Sequence, residues 1–139
     1  MKVCGIELKG SSANLCILIG DKSEWKAVDC STCKVNVIDD ENRDEIISFY
    51  ETFCNLVRDY DIETIVIKKR NKRGEYAGGA VTFKLEGVLQ LVRNVEISFL
   101  SAQAISRFTK KNPSALPDKL NKYQETAFNV ARTFLGKNS

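Results

Sequence analysis

Residues 64–73, TIVIKKRNKR, constrain this chain more than any other stretch. The run TIVI is rich in β-branched types and reads as a buried strand. It ends in five positive charges within six positions: Lys68, Lys69, Arg70, Lys72 and Arg73. In open α/β sheets ligands collect beyond the carboxyl ends of strands, and this basic run begins at such an end. Gly74, Gly78 and Gly79 follow, leaving the start of the next helix approachable by phosphate.

The neighbouring segments place that strand. Residues 2–8 (KVCGIEL) and 14–19 (NLCILI) read as two strands joined by a turn at Gly10, and 33–38 (CKVNVI) as a third. DDENRDE then leads into IISFYETFCNLVRDY, whose apolar residues keep a helical period behind an acidic first turn. Beyond the strand at 64–67, residues 77–92 fit a helix, with Gly87 a candidate for close packing, and 95–100 (VEISFL) a fifth strand. Ser101 caps a further helix, NPSALPD is a loop holding both prolines, and a last helix runs from about Asp118 to Leu135, stopped by Gly136. The order β-β-β-α-β-α-β-α-α predicts an α/β fold, a mixed five-stranded sheet with helices on both faces.

With 139 residues the expectation is one domain, 1–139. The net charge is +3, and residues 68–75 hold five basic groups against one acid, so the rest of the chain is slightly acidic and the basic character is a patch. No apolar run is long enough to span a membrane and no signal-peptide pattern opens the chain, which predicts a cytoplasmic protein. Five cysteines, an odd number, fit reduced thiols. Cys30 and Cys33 match C-x-x-C but have neither the βα setting of a redox motif nor a second pair for zinc, so a chance pair is the better reading. There is no histidine, which removes the commonest general base, nucleophile activator and metal ligand. Catalysis would have to run on carboxylates, lysines or bound metal.

The element order resembles the RNase H-like superfamily, and the segments look most like RuvC-type Holliday-junction resolvases. VCGIELKGSSANLCILI is similar to their first hairpin, with Gly5-Ile6-Glu7 opening the active site. TIVIKKR with AGGAVTFKLEGVLQLV is similar to their fourth strand and following helix, VEISFLSAQAISRFTK to the fifth strand and its helix, and QETAFNVARTFL to the C-terminal acidic helix. The chain also resembles an uncharacterised family of small bacterial proteins built on this plan. The resemblance implies a nuclease using Mg²⁺ or Mn²⁺, DNA or RNA as partner, and a homodimer. Such hydrolysis needs three or four carboxylates converging around two hard cations. Carried over, the catalytic and metal positions are Glu7, Lys68 and Glu125, and Lys68 stands where the resemblance expects an acid.

Two readings follow. In the first, nucleic acid or another polyanion binds through Lys68, Lys69, Arg70, Lys72, Arg73 and Lys84, with Tyr76 available to stack on a base. Any cleavage would then use an altered acidic site: Glu7, with Glu125, Glu75 and Glu86 as companions in falling order. Leu120, Ala127, Ala131 and Phe134 define the buried stripe of the last helix, and Glu125 lies away from it, leaving it between site and solvent. In the second reading the protein is a non-catalytic interaction or regulatory module, with Glu7 and Lys68 as a structural salt bridge and the basic loop facing a protein partner. Lys9-Gly10-Ser11-Ser12 also resembles the phosphate hairpin of actin-like kinases, but those enclose nucleotide between two such domains and this chain has room for one.

Overall fold

A computed structural model describes residues 1–71 and 79–138. Its strands are β1 (Lys2–Lys9), β2 (Ser12–Gly20), β3 (Trp25–Ala27), β4 (Lys34–Asn36), β5 (Thr64–Lys68) and β6 (Glu96–Leu100). Its helices are α1 (Arg43–Tyr60), α2 (Ala80–Leu89), α3 (Ala102–Lys111) and α4 (Glu125–Asn138), the last entered through a 3₁₀ turn at Lys122–Gln124. The sheet runs β3-β2-β1-β5-β6, with β4 also on the outer edge of β2. The edge position of the sheet beside β2 is therefore filled by two short strands, β3 pairing with Leu18–Gly20 and β4 with Ser12–Asn14. The strand expected at 33–38 is β4. Three-residue β3 is too short to show an alternation of its own.

β1 and β2 pair antiparallel, while β1–β5 and β5–β6 are parallel. Parallel strands need covering on both faces, and Thr64, Ile65, Val66 and Ile67 of β5 are all buried. On one face Cys4, Ile6 and Leu8 pack with Phe49 and Phe53 of α1 and with Leu85 and Leu89 of α2. On the other, Val3, Cys16, Leu18 and Val66 pack with Ala127, Phe128, Ala131 and Leu135 of α4. α1 starts where Asn42 Oδ1 accepts from the Asp44 and Glu45 amides at 2.9 and 3.3 Å, and Phe49, Phe53, Leu56 and Val57 keep its buried stripe.

Two glycines set how closely α4 packs. A Cβ on Gly5 would lie 2.2 Å from the Ala127 carbonyl oxygen and 2.8 Å from the Ala131 amide, so α4 rests directly on the backbone of β1. Gly136 does not stop the last helix as expected, because α4 continues to Asn138. A Cβ there would meet the Phe108 ring at 2.2 Å, so this glycine lets α3 and α4 touch. Gly87, by contrast, has no other described part of the chain within 4 Å of where a Cβ would lie, so it is not a site of close packing among the described residues.

Candidate nucleic-acid interface

Alternation along each strand decides which side chains reach the face covered by α4. Val3 and Gly5 of β1 touch that helix, so Glu7 projects the same way. Cys16 and Leu18 of β2 belong to the α4-side core, which puts Asn14 on that face, and Val66 does the same for Lys68. Glu7 lies opposite Asn14, and Asn14 opposite Lys34. The β1–β5 ladder ends at Ile6 opposite Ile67, and its next step sets Glu7 beside Lys68. One row thus crosses four strands: Lys34, Asn14, Glu7 and Lys68. A carboxylate sits between two ammonium groups, at the end of the sheet where β1 and β5 finish.

Within the row, Asn14 Nδ2 donates to Glu7 Oε1 at 3.1 Å. Asn14 is only 4% exposed, and its buried Oδ1 has no hydrogen-bond donor among the described residues. Lys34 holds its Nζ 4.5 Å from the centre of the Tyr123 ring, at the foot of α4. Lys68 is half-buried and forms no ion pair among the described residues. The expected structural salt bridge between Glu7 and Lys68 is absent: Glu7 takes its hydrogen bond from Asn14 instead, across the other neighbouring strand.

The entry to α4 explains Glu125. Gln124 is 3% exposed, donates Nε2 to the Leu15 carbonyl at 2.9 Å and accepts the Asn121 amide at 2.8 Å through Oε1. That buried glutamine, not an acid, faces the sheet where α4 begins. Glu125, one residue on, turns outward, exposed and 4.0 Å from Lys122. Glu7 and Glu125 therefore sit in different surroundings, and no three Asp, Glu, Cys or His side chains among the described residues group as metal ligands. A two-ion centre needs three or four converging carboxylates. Glu7 with Asn14, flanked by two ammonium groups, does not fit one.

The basic run divides in the fold. Arg70 faces α2: Nε donates to Thr82 Oγ1 at 3.2 Å, one terminal nitrogen to the Lys68 carbonyl at 2.9 Å, and the other to Glu86 Oε1 at 2.7 Å. Its guanidinium also lies 4.5 Å from the centre of the Phe83 ring. Arg70 and Glu86 thus brace α2 against the end of β5. Lys84 is likewise engaged, with Asp40 Oδ2 at 3.2 Å and the Asp40 carbonyl. Lys69 is exposed, and its amide extends the ladder to the Leu100 carbonyl at 2.8 Å. Lys72, Arg73, Glu75 and Tyr76 lie outside the described residues. Asn14 and Lys34 were not singled out from the sequence. A two-residue turn at 10–11 is enough to pair 7 with 14, whereas nothing local in KVN places β4 beside Asn14.

The C-x-x-C pair lies in the β3–β4 connection, its thiols bonded to local carbonyls: Cys30 Sγ to Thr32 at 3.2 Å, Cys33 Sγ to Cys30 at 3.5 Å. All five cysteines are free thiols. No helix among the described residues is long and apolar enough to cross a membrane.

A mixed sheet covered on both faces, with a charged row at the ends of its central parallel strands, is an RNase H-like fold of the RuvC type. The chain is similar to Thermus thermophilus RuvC, solved alone and in complex with a Holliday junction substrate. Both give a TM-score of 0.74, cover 96% of this chain and 92% of that one, and are 10% and 9% identical. It is also similar to the Fowlpox virus resolvase in complex with Holliday junction DNA, at TM-score 0.56 and 13% identity, covering 99% and 98% of the two chains. No curated protein matches by sequence. Residues 1–134 match the family described as "Protein of unknown function (DUF3010)", and the chain belongs to that family.

Proposed function

We propose that this protein grips the backbone of a nucleic acid at the Lys34–Asn14–Glu7–Lys68 row without cutting it. The observation that carries the reading is the register itself, which sets two lysines on either side of a carboxylate at the carboxyl ends of β1 and β5. Ammonium groups spaced across a sheet suit a chain of phosphates. Lys69 extends the cationic surface along β5, and Lys72 and Arg73 belong to the same reading. Both similar structures were solved with Holliday junctions, which makes a four-way DNA junction the natural first probe.

Binding to a four-way junction and to duplex DNA, followed across a salt titration, tests the proposal. The logarithm of the binding constant should fall with the logarithm of salt concentration, and Lys68→Ala and Lys34→Ala should each lower that slope by about one unit. No binding at low salt would remove the reading. The rival is cleavage with Mg²⁺ or Mn²⁺ through Glu7 and Glu125, a reading supported only by the likeness of the fold to resolvases. Metal-dependent cleavage that disappears in Glu7→Gln would establish that rival instead.

A further inference from the structure

A second cationic feature lies toward the other end of α4, away from the Glu7 row. Arg132 is only 5% exposed. One terminal nitrogen donates to the Asn112 carbonyl at 2.9 Å, the other to Asn129 Oδ1 at 3.5 Å, and the buried Nε has no partner among the described residues. The guanidinium lies 5.6 Å from the Phe108 ring centre and 5.3 Å from that of Phe128. Rings and carbonyls offset part of a buried charge, but among the described residues no carboxylate pairs with it. Burial lowers the pKa of Arg132, and no neighbouring charge contributes to that shift.

Arg132 lines an open cavity of about 290 Å³ between the β2–β3 turn, the C-terminal end of α3 and α4. Trp25, Phe108 and Asn112 form part of its wall, with Lys22 and Ser114 exposed. Asp21 also borders it, but Asp21 Oδ1 accepts from the Ser23 and Glu24 amides at 2.8 and 2.9 Å, which holds its charge in its own turn. We propose that this cavity is a binding site for a small oxyanion, a phosphate or carboxylate group, held by the Arg132 guanidinium with Lys22 at the rim. An oxyanion supplies what the buried cation lacks, and its flat or tetrahedral oxygens match the guanidinium fork.

Trp25 is the only tryptophan of the chain, lines the cavity, and packs edge-on to Phe128 with ring centres 5.2 Å apart. Its fluorescence therefore reports on the site directly. Titrations with inorganic phosphate and with acetate, each at constant ionic strength against chloride, should give a saturable change in emission for at least one anion. Response to phosphate alone, to acetate alone or to both identifies the oxyanion group accepted. Arg132→Met should abolish the response, and Lys22→Ala should raise its midpoint roughly two- to fivefold, the weight of one exposed charge. If Arg132→Met does not fold by circular dichroism, the Lys22→Ala midpoint decides. No saturable response to either anion, a response that survives Arg132→Met, or an unmoved midpoint in Lys22→Ala would overturn the proposal.

Discussion

Position 5 of β1 has no room for a side chain, since even a methyl group would press on the Ala127 carbonyl and the Ala131 amide. The obstacles are helix backbone and cannot rotate away, so Gly5→Ala should cost about 1–3 kcal/mol or more, measured as a fall in the urea midpoint. Buried thiols make a different prediction. Burial first, and then the neighbouring Cys33 and Cys30 thiols, push Cys16 up to about 12 from an ordinary 9.0. Burial likewise raises Cys4 well above that value. Because the folded chain holds these protons more tightly, their contribution is complete below about pH 9 and is lost as pH rises toward 12. Unfolding free energy should fall between pH 9 and 11 by up to about 1.4 kcal/mol per pH unit for each thiol, and Cys16→Ala should flatten the curve. At pH 8 a thiol reagent should modify the half-buried Cys30, Cys33 and Cys54 before unfolding, and Cys4 and Cys16 only after it.

At the scale of elements, the cations after β5 do two separate jobs. Arg70 ties α2 to the sheet through Thr82, Glu86 and the Phe83 ring, with side-chain exposures of 11% and 19% across the ion pair. Removing one partner of a largely buried pair costs about 3 kcal/mol, so Arg70→Ala should lower stability by that order. Lys68→Ala should leave stability within about 0.5 kcal/mol and act on nucleic-acid binding alone. Urea unfolding and a binding assay on both variants separate the two roles. The division was invisible in the sequence, where Arg70 reads as one of five similar charges. Its acceptors lie 12 and 16 residues away on a helix whose orientation no local pattern gives. The strands and helices themselves were legible, because TIVI, VEISFL and the α1 period are long, regular signals. Glu125 was harder: its offset from the apolar stripe pointed outward, but only the buried Gln124 beside it explains why.

For the whole molecule, the distribution of charge matters more than the total. Glu7 is the one anion in the row that meets the proposed backbone, so Glu7→Gln should strengthen DNA binding roughly threefold to tenfold, the effect of removing one repulsive charge at about 6 Å in a partly aqueous setting. A decrease would instead mean that the carboxylate itself contacts the ligand or a cation. The row also joins parts of the chain with different mechanical support. Glu7 and Lys68 stand on buried central strands, while Lys34 stands on a three-residue strand at the margin of β2.

That margin is shared. β3 and β4 hold opposite ends of β2, and residues 28–33 span the gap between them, fastened by the Val28 amide to the Ile17 carbonyl and the Leu15 amide to the Cys33 carbonyl, each about 3 Å. Between those anchors the exposed Ser31 can accept extra length at small entropic cost. The protein thus carries an adjustable arm on a rigid frame. Extra residues in the 29–32 segment would bulge outward at Ser31, while the Cys33 anchor and the β2–β4 ladder keep Lys34 opposite Asn14 and the packing of Gly5 against α4 stays as it is.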